Sequence, residues 1–100
     1  MELKLIGLHI ELTPALREHV NAKFQRIARH VESVITVTVT LSTDKLIHKA
    51  YADIHVAGKS IHSEATNENM YTAIDILIDK LDRAILKHKE KTTDHILHHH

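Results

Sequence analysis

Between residues 35 and 42 the chain alternates without a break. Ile35, Val37, Val39 and Leu41 occupy every second position, with Thr36, Thr38, Thr40 and Ser42 between them. Successive side chains of a strand point to opposite faces, so this segment reads as a strand with one apolar and one polar side. Its β-branched residues suit a pleated, half-buried surface. A sheet with one polar face must take its helices on the other face alone, which defines a two-layer α+β sandwich.

The flanking segments supply the remaining layers. Leu3 and Leu5 alternate with Glu2 and Lys4, which predicts a short first strand ending near Gly7. After a connector over His9–Leu12, Thr13-Pro14 reads as an N-cap followed by proline at the first helical position. The helix is predicted to run to about Val31, with Leu16, Val20, Phe24, Ile27 and Val31 on one face. Beyond the alternating strand, Ser42–Lys45 is a turn. Ala50, Ala52, Ile54 and Val56 then alternate with Lys49, Tyr51, Asp53 and His55 in a third strand. Gly58-Lys59 fits a two-residue type II′ hairpin turn with glycine at the first central position. Ile61, Ser63 and Ala65 return on the buried face, with His62 and Glu64 facing out. Thr66–Asn69 caps a final helix reaching Lys91, whose core face is Met70, Ile74, Leu77, Ile78, Leu81 and Ile85.

The predicted order is therefore β-α-β-β-β-α: a four-stranded mixed sheet with two roughly parallel helices on one face. Short turns make strands two to four an antiparallel meander, and a crossover through the first helix sets strand one parallel to strand two. Residues 1–91 form one domain, and 92–100 are expected to be a mobile tail. Within that tail, His98, His99 and His100 resemble the remnant of a purification tag and carry no functional weight.

Composition narrows the function. Net charge is zero, so any nucleic-acid contact must come from local asymmetry rather than bulk charge. The chain has no cysteine, which removes disulfides and thiolate sites and fits a reducing compartment. The N-terminus lacks a signal-peptide pattern and no apolar run approaches transmembrane length, which predicts a cytoplasmic protein without a membrane partner. Gly7 and Gly58 are the only glycines, so no phosphate-cradling loop or nucleophile elbow is available. No serine or histidine spacing sets a nucleophile beside an oriented base. The chain reads as a non-enzyme with no cofactor and no small-molecule substrate.

Charge on the helices is sorted. Lys80, Arg83, Lys87 and Lys91 form a basic stripe along one flank of the final helix, thickened by Lys89. Asp75, Asp79, Asp82 and Glu90 are expected beyond it on the outer face. His19, Lys23, Arg26 and His30 line the corresponding flank of the first helix. In parallel helices the two flanks point the same lateral way, one lining the interhelical groove and one bordering it, as one positive surface. Such a surface suits backbone phosphates, where lysine and arginine displace condensed counterions without reading sequence. A solvated pair of flanks, or an acidic protein partner, would use the same residues. Of the aromatics, Phe24 belongs to the core, leaving Tyr51 and Tyr71, too few for a base-stacking platform. An RNA partner would be held by shape and phosphates.

A second constellation is Asp53, His55, His62 and Glu64. With the turn at Gly58-Lys59, His55 faces His62 and Asp53 faces Glu64 across the hairpin, close enough to share a zinc ion. An ordinary polar sheet face accounts for the same residues.

The segments GLHIELTPALREHVNAKF, HKAYADIHVAGKSIHSEA and NMYTAIDILIDKLDRAILKHKEK resemble the ribosome hibernation-promoting factor family over residues 1 to about 91. This group includes the ribosome-associated inhibitor A and formerly bore the name sigma-54 modulation protein. The resemblance implies a fold akin to the double-stranded-RNA-binding domain. It also implies binding to ribosomal RNA of the small subunit, between head and body, over the mRNA and tRNA positions, with translation blocked in stationary phase or stress. Lys23, Arg26, Lys80, Arg83, Lys87, Lys89 and Lys91 match the family's basic helices and are the implied RNA contacts. Ala84 departs from the glutamine of many relatives. The chain is similar to short hibernation factors, which favour ribosome dimers together with a separate ribosome modulation factor. Two readings from other classes stand beside this one: a protein-interaction modulator of a sigma-54-type transcription factor, and a metal-binding hairpin.

Overall fold

A computed structural model describes residues 2–30, 36–56 and 58–98, with side chains described for 2–27, 36–55 and 58–87. The elements are β1 (Glu2–Leu8), α1 (Pro14–His30), β2 (Thr36–Asp44), β3 (Ile47–Val56), β4 (Lys59–Asn67) and α2 (Met70–His98). The sheet order is β1-β2-β3-β4. β1 runs parallel to β2, while β2, β3 and β4 form the antiparallel meander. The β-α-β-β-β-α sandwich expected from the alternation is the observed fold.

Alternation decides which sheet face is covered. Val37, Val39, Leu41, Ala50, Ala52, Ile54, Ile61 and Ala65 are buried on one face. They meet Leu16, Val20, Phe24 and Ile27 of α1 and Met70, Ala73, Ile74, Leu77, Ile78, Leu81 and Ile85 of α2 in a single core. α2 packs over β3 and β4 and against α1. Alanines at 50, 52 and 65 lie on the strand faces beneath it and leave room for its larger side chains, so layers of large and small residues interlock. Leu3 and Leu5 pack at the margin of the core. Val31, Ile35 and Val56, also expected on the buried face, lie outside the described side chains.

The start of α1 follows its sequence signal. The Leu16 backbone N–H donates to Thr13 Oγ1 at 3.2 Å, satisfying one of the orphan donors of the first turn. Before it the chain reverses through His9, at φ 59°, and the Thr43 hydroxyl donates to the His9 carbonyl at 3.2 Å. Gly7 is required here for space. A Cβ on it would lie 2.8 Å from the Ile10 carbonyl oxygen and 2.9 Å from Leu12 Cγ. Because the first obstacle is backbone, Gly7→Ala is expected to lower unfolding free energy by about 1–3 kcal/mol in urea titrations. An unchanged midpoint would show that the 9–12 connector can move aside.

Three boundaries differ from the sequence expectation. β2 continues to Asp44, so the turn is Lys45-Leu46 rather than Ser42–Lys45. Lys45 takes φ 57°, the positive-φ geometry that matches a tight hairpin to strand twist. In the second hairpin Val56 pairs with Lys59, so Lys59 belongs to β4 and is not a turn residue as the Gly58-Lys59 turn required. Gly58, at φ 70°, thus occupies the second central position, where its freedom at positive φ is used. Lastly, α2 runs to His98, so residues 92–98 continue the helix where a tail was expected. Propagating an existing helix costs far less than nucleating one, so the loss of apolar periodicity after Lys91 does not end it.

Candidate nucleic-acid interface

The basic residues of α2 sit on the flank above the sheet edge. Lys80 Nζ donates to the Glu64 carbonyl oxygen of β4 at 3.0 Å, which fixes that flank over the edge strand and away from α1. Arg83 and Lys87 are exposed along the same line. Among the described residues, no carboxylate lies within salt-bridge distance of Lys80, Arg83 or Lys87. Lys89 and Lys91 continue the helix, but their side chains lie outside the described set. Cations toward the C-terminal end of a helix also complement its dipole, so part of this pattern serves the helix itself.

On α1 the flank turns the other way, into the seam between the helices. His19 Nε2 stands 2.8 Å from Asp75 Oδ1 and Lys23 Nζ stands 3.6 Å from the same oxygen. The Tyr71 ring meets His19 edge-on, with centroids 5.0 Å apart and planes at 81°. Arg26 is exposed; the His30 side chain is outside the described set. The α1 flank lines the groove, as one of the two was expected to, but the α2 flank lies over the β4 edge rather than bordering that groove. Asp75, expected on the outer face, sits between the helices and interrupts the single positive surface. Asp82, seven residues on and hence on nearly the same side of α2, is half-buried, with Oδ1 shielded from solvent and unbonded. The two cationic strips are therefore separate edges with a carboxylate seam between them.

The hairpin constellation is corrected by register. Asp53 lies opposite His62, His55 opposite Ser60, and Glu64 opposite Tyr51. The two-residue displacement preserves the face but changes every pairing, because Gly58 is the second rather than the first central turn residue. Glu64 is engaged by Lys49 at 3.0 Å and does not join the others. Asp53 lies between the two imidazoles, with His62 Nδ1 at 3.0 Å and His55 Nε2 at 3.7 Å. The first approach is off hydrogen-bond angle, leaving Asp53 Oδ1 without a bonded donor. Both rings have other partners: Tyr51 Oη lies 3.1 Å from His62 Nδ1, and Ser60 Oγ 3.0 Å from His55 Nδ1. Among the described residues, no group of three or more histidines and carboxylates is arranged to hold a metal ion.

Sequence reasoning missed two features. Exposed aliphatics gather toward one corner of the open sheet face: Ile6 and Leu8 on β1, Leu46 and Ile47 at the first hairpin. A shallow depression beside Asp44, Leu46, Ile47 and Thr66 holds none of the helix-borne cations. Ile6 and Leu8 were legible as continuing the Lys4 side of the first strand. The seam position of Asp75 had no local signal. No helix among the described residues is long and apolar enough to cross a membrane.

Comparison with known proteins places this arrangement. The model of the family described as Sigma 54 modulation protein / S30EA ribosomal protein matches residues 3–93, and the chain belongs to that family. It is 43% identical over 95 residues to the ribosome hibernation promoting factor of Escherichia coli (strain K12), covering 95% of this chain and all of that one. The factor of the same name from Azotobacter vinelandii is 42% identical over 91 residues, covering 91% of this chain and 85% of that one. Among solved structures, the Thermus thermophilus Protein Y N-terminal domain superposes with TM-score 0.79 at 29% identity, over 85% of this chain and 96% of that one. A ribosomal subunit interface protein from Coxiella burnetii shares the fold, with TM-score 0.83 at 24% identity, over 90% of this chain and 99% of that one.

Proposed function

We propose that this chain is a ribosome hibernation factor. It binds ribosomal RNA of the small subunit at the mRNA and tRNA channel and blocks translation in stationary phase or stress. The observation that carries the proposal is the line of Lys80, Arg83 and Lys87. These are three exposed cations on one flank of a helix, with no carboxylate within salt-bridge distance of them among the described residues, in a chain whose close relatives are named ribosome hibernation promoting factors. Lys89 and Lys91 extend that line. Lys23 and Arg26 supply the contacts of α1. The protein acts in the cytoplasm without catalysis or cofactor, by occupying the channel, and a ribosome modulation factor works in parallel where ribosomes dimerise. The relatives are named for ribosomes, which disfavours the sigma-54 reading as the activity.

Co-sedimentation with purified small subunits at two salt concentrations tests the proposal. Binding should weaken steeply with salt, and Lys87→Gln should reduce the slope of log K against log salt by about one unit. Binding that is absent at low salt, or indifferent to salt, would overturn it.

A further inference from the structure

The interhelical seam holds a charge that a general polyanion-binding surface would be better without. Lys23 is half-buried and reaches a carboxylate at 3.6 Å; His19, on the turn before it, donates to the same oxygen at 2.8 Å. A single carboxylate oxygen therefore faces both of the described groove-facing basic side chains of α1. The Asp75 side chain remains 46% exposed, so its charge is presented at the mouth of the groove as well as inside it. Half-buried Asp82 continues an acidic line two turns further along α2. A carboxylate so placed does two things to an approaching phosphate: it occupies the ammonium that would receive it, and it repels the phosphate itself. The line of Lys80, Arg83 and Lys87, on the far flank, is outside its reach.

We propose that Asp75 is a specificity-determining residue of the RNA-binding surface. Its carboxylate keeps Lys23 and His19 from arbitrary RNA and closes the interhelical groove to phosphate. An RNA backbone is then held on two separated edges, Arg26 on α1 and the Lys80, Arg83 and Lys87 line on α2. Only RNA whose phosphates match that separation, or which displaces Lys23 from Asp75, gains the full set of contacts. The inference rests on the RNA-binding reading above, but not on the ribosome being the RNA's source.

The test compares the wild-type chain, Asp75→Asn, and Asp75→Asn combined with Lys23→Gln on a generic RNA duplex across a salt series. Asp75→Asn should bind the duplex about three- to ten-fold more tightly, and its salt slope should steepen by about one unit as Lys23 becomes available. Adding Lys23→Gln should return the slope to that of the wild type. A carboxylate that only ties the helices together predicts the opposite, a lower melting temperature with equal or weaker binding and no steeper slope. That result, or identical behaviour of wild type and Asp75→Asn including no binding by either, overturns the proposal. Sedimentation with small subunits separates the two questions. Loss of small-subunit binding by the wild type would refute the ribosome reading, while the duplex comparison would still decide the role of Asp75.

Discussion

Replacing Lys80, Arg83 and Lys87 together by glutamate is expected to abolish co-sedimentation with small ribosomal subunits while the chain stays folded. Under the proposed binding mode, each replacement turns a phosphate contact into a repulsion. Three together should weaken binding on the order of 100- to 1,000-fold at moderate salt, beyond the reach of a sedimentation assay. The fold should tolerate the change because none of the three side chains is buried. The Lys80 bond to the Glu64 carbonyl is at the exposed edge of β4, where water can replace it. Like charges at spacings of three and four on a helix cost only a few tenths of a kcal/mol per pair. Far-UV circular dichroism and a thermal melt check that assumption directly. A folded triple variant that still travels with the small subunit would remove these residues from the interface and, with them, the main support for the proposed function.

The largest effect on stability should come from Phe24→Ala. Phe24 is fully buried, at 0% exposure, and is the largest of the wholly buried side chains. It is the only core aromatic: the chain's two tyrosines are at least partly exposed. Truncating such a residue removes its transfer energy and leaves a cavity that close-packed neighbours fill poorly, a cost of about 3–5 kcal/mol. Single domains are stable by only about 5–15 kcal/mol, so the variant should lose a large fraction of its margin in a urea titration. Leu46→Ser is the contrasting control. Leu46 is 83% exposed at the tip of the first hairpin, and its replacement should move the midpoint little. A Phe24→Ala loss below about 1 kcal/mol would mean that the α1 layer repacks far more readily than dense interiors allow.

The triple replacement alters an exposed flank of α2 and Phe24→Ala the buried face of α1, and the sequence was unequally informative about flanks and core faces. Core faces were mostly legible. Val37, Val39 and Leu41 at period two, and Leu16, Val20, Phe24 and Ile27 at helical pitch, are all buried as expected, because burial of a periodic face needs only the local geometry of its own element. Caps were legible for the same reason; Thr13 bonds the first turn it precedes. Register was less so. A glycine announces a hairpin turn but not which of the two central positions it fills, and that difference moved His62 from opposite His55 to opposite Asp53.

What the sequence by itself determined, then, is the list of elements, the face each buries, and the candidate cations on two helices. These follow from side-chain periodicity and capping, which are properties of consecutive residues. Tertiary structure alone decided where the flanks look. Docking α2 over β3 and β4 turned Lys80, Arg83 and Lys87 toward the sheet edge and Asp75 toward α1. The rotation of one packed helix against another is set by which ridges fill which grooves across the core, and no stretch of consecutive residues encodes it. That rotation converts one expected positive surface into two basic edges divided by a carboxylate.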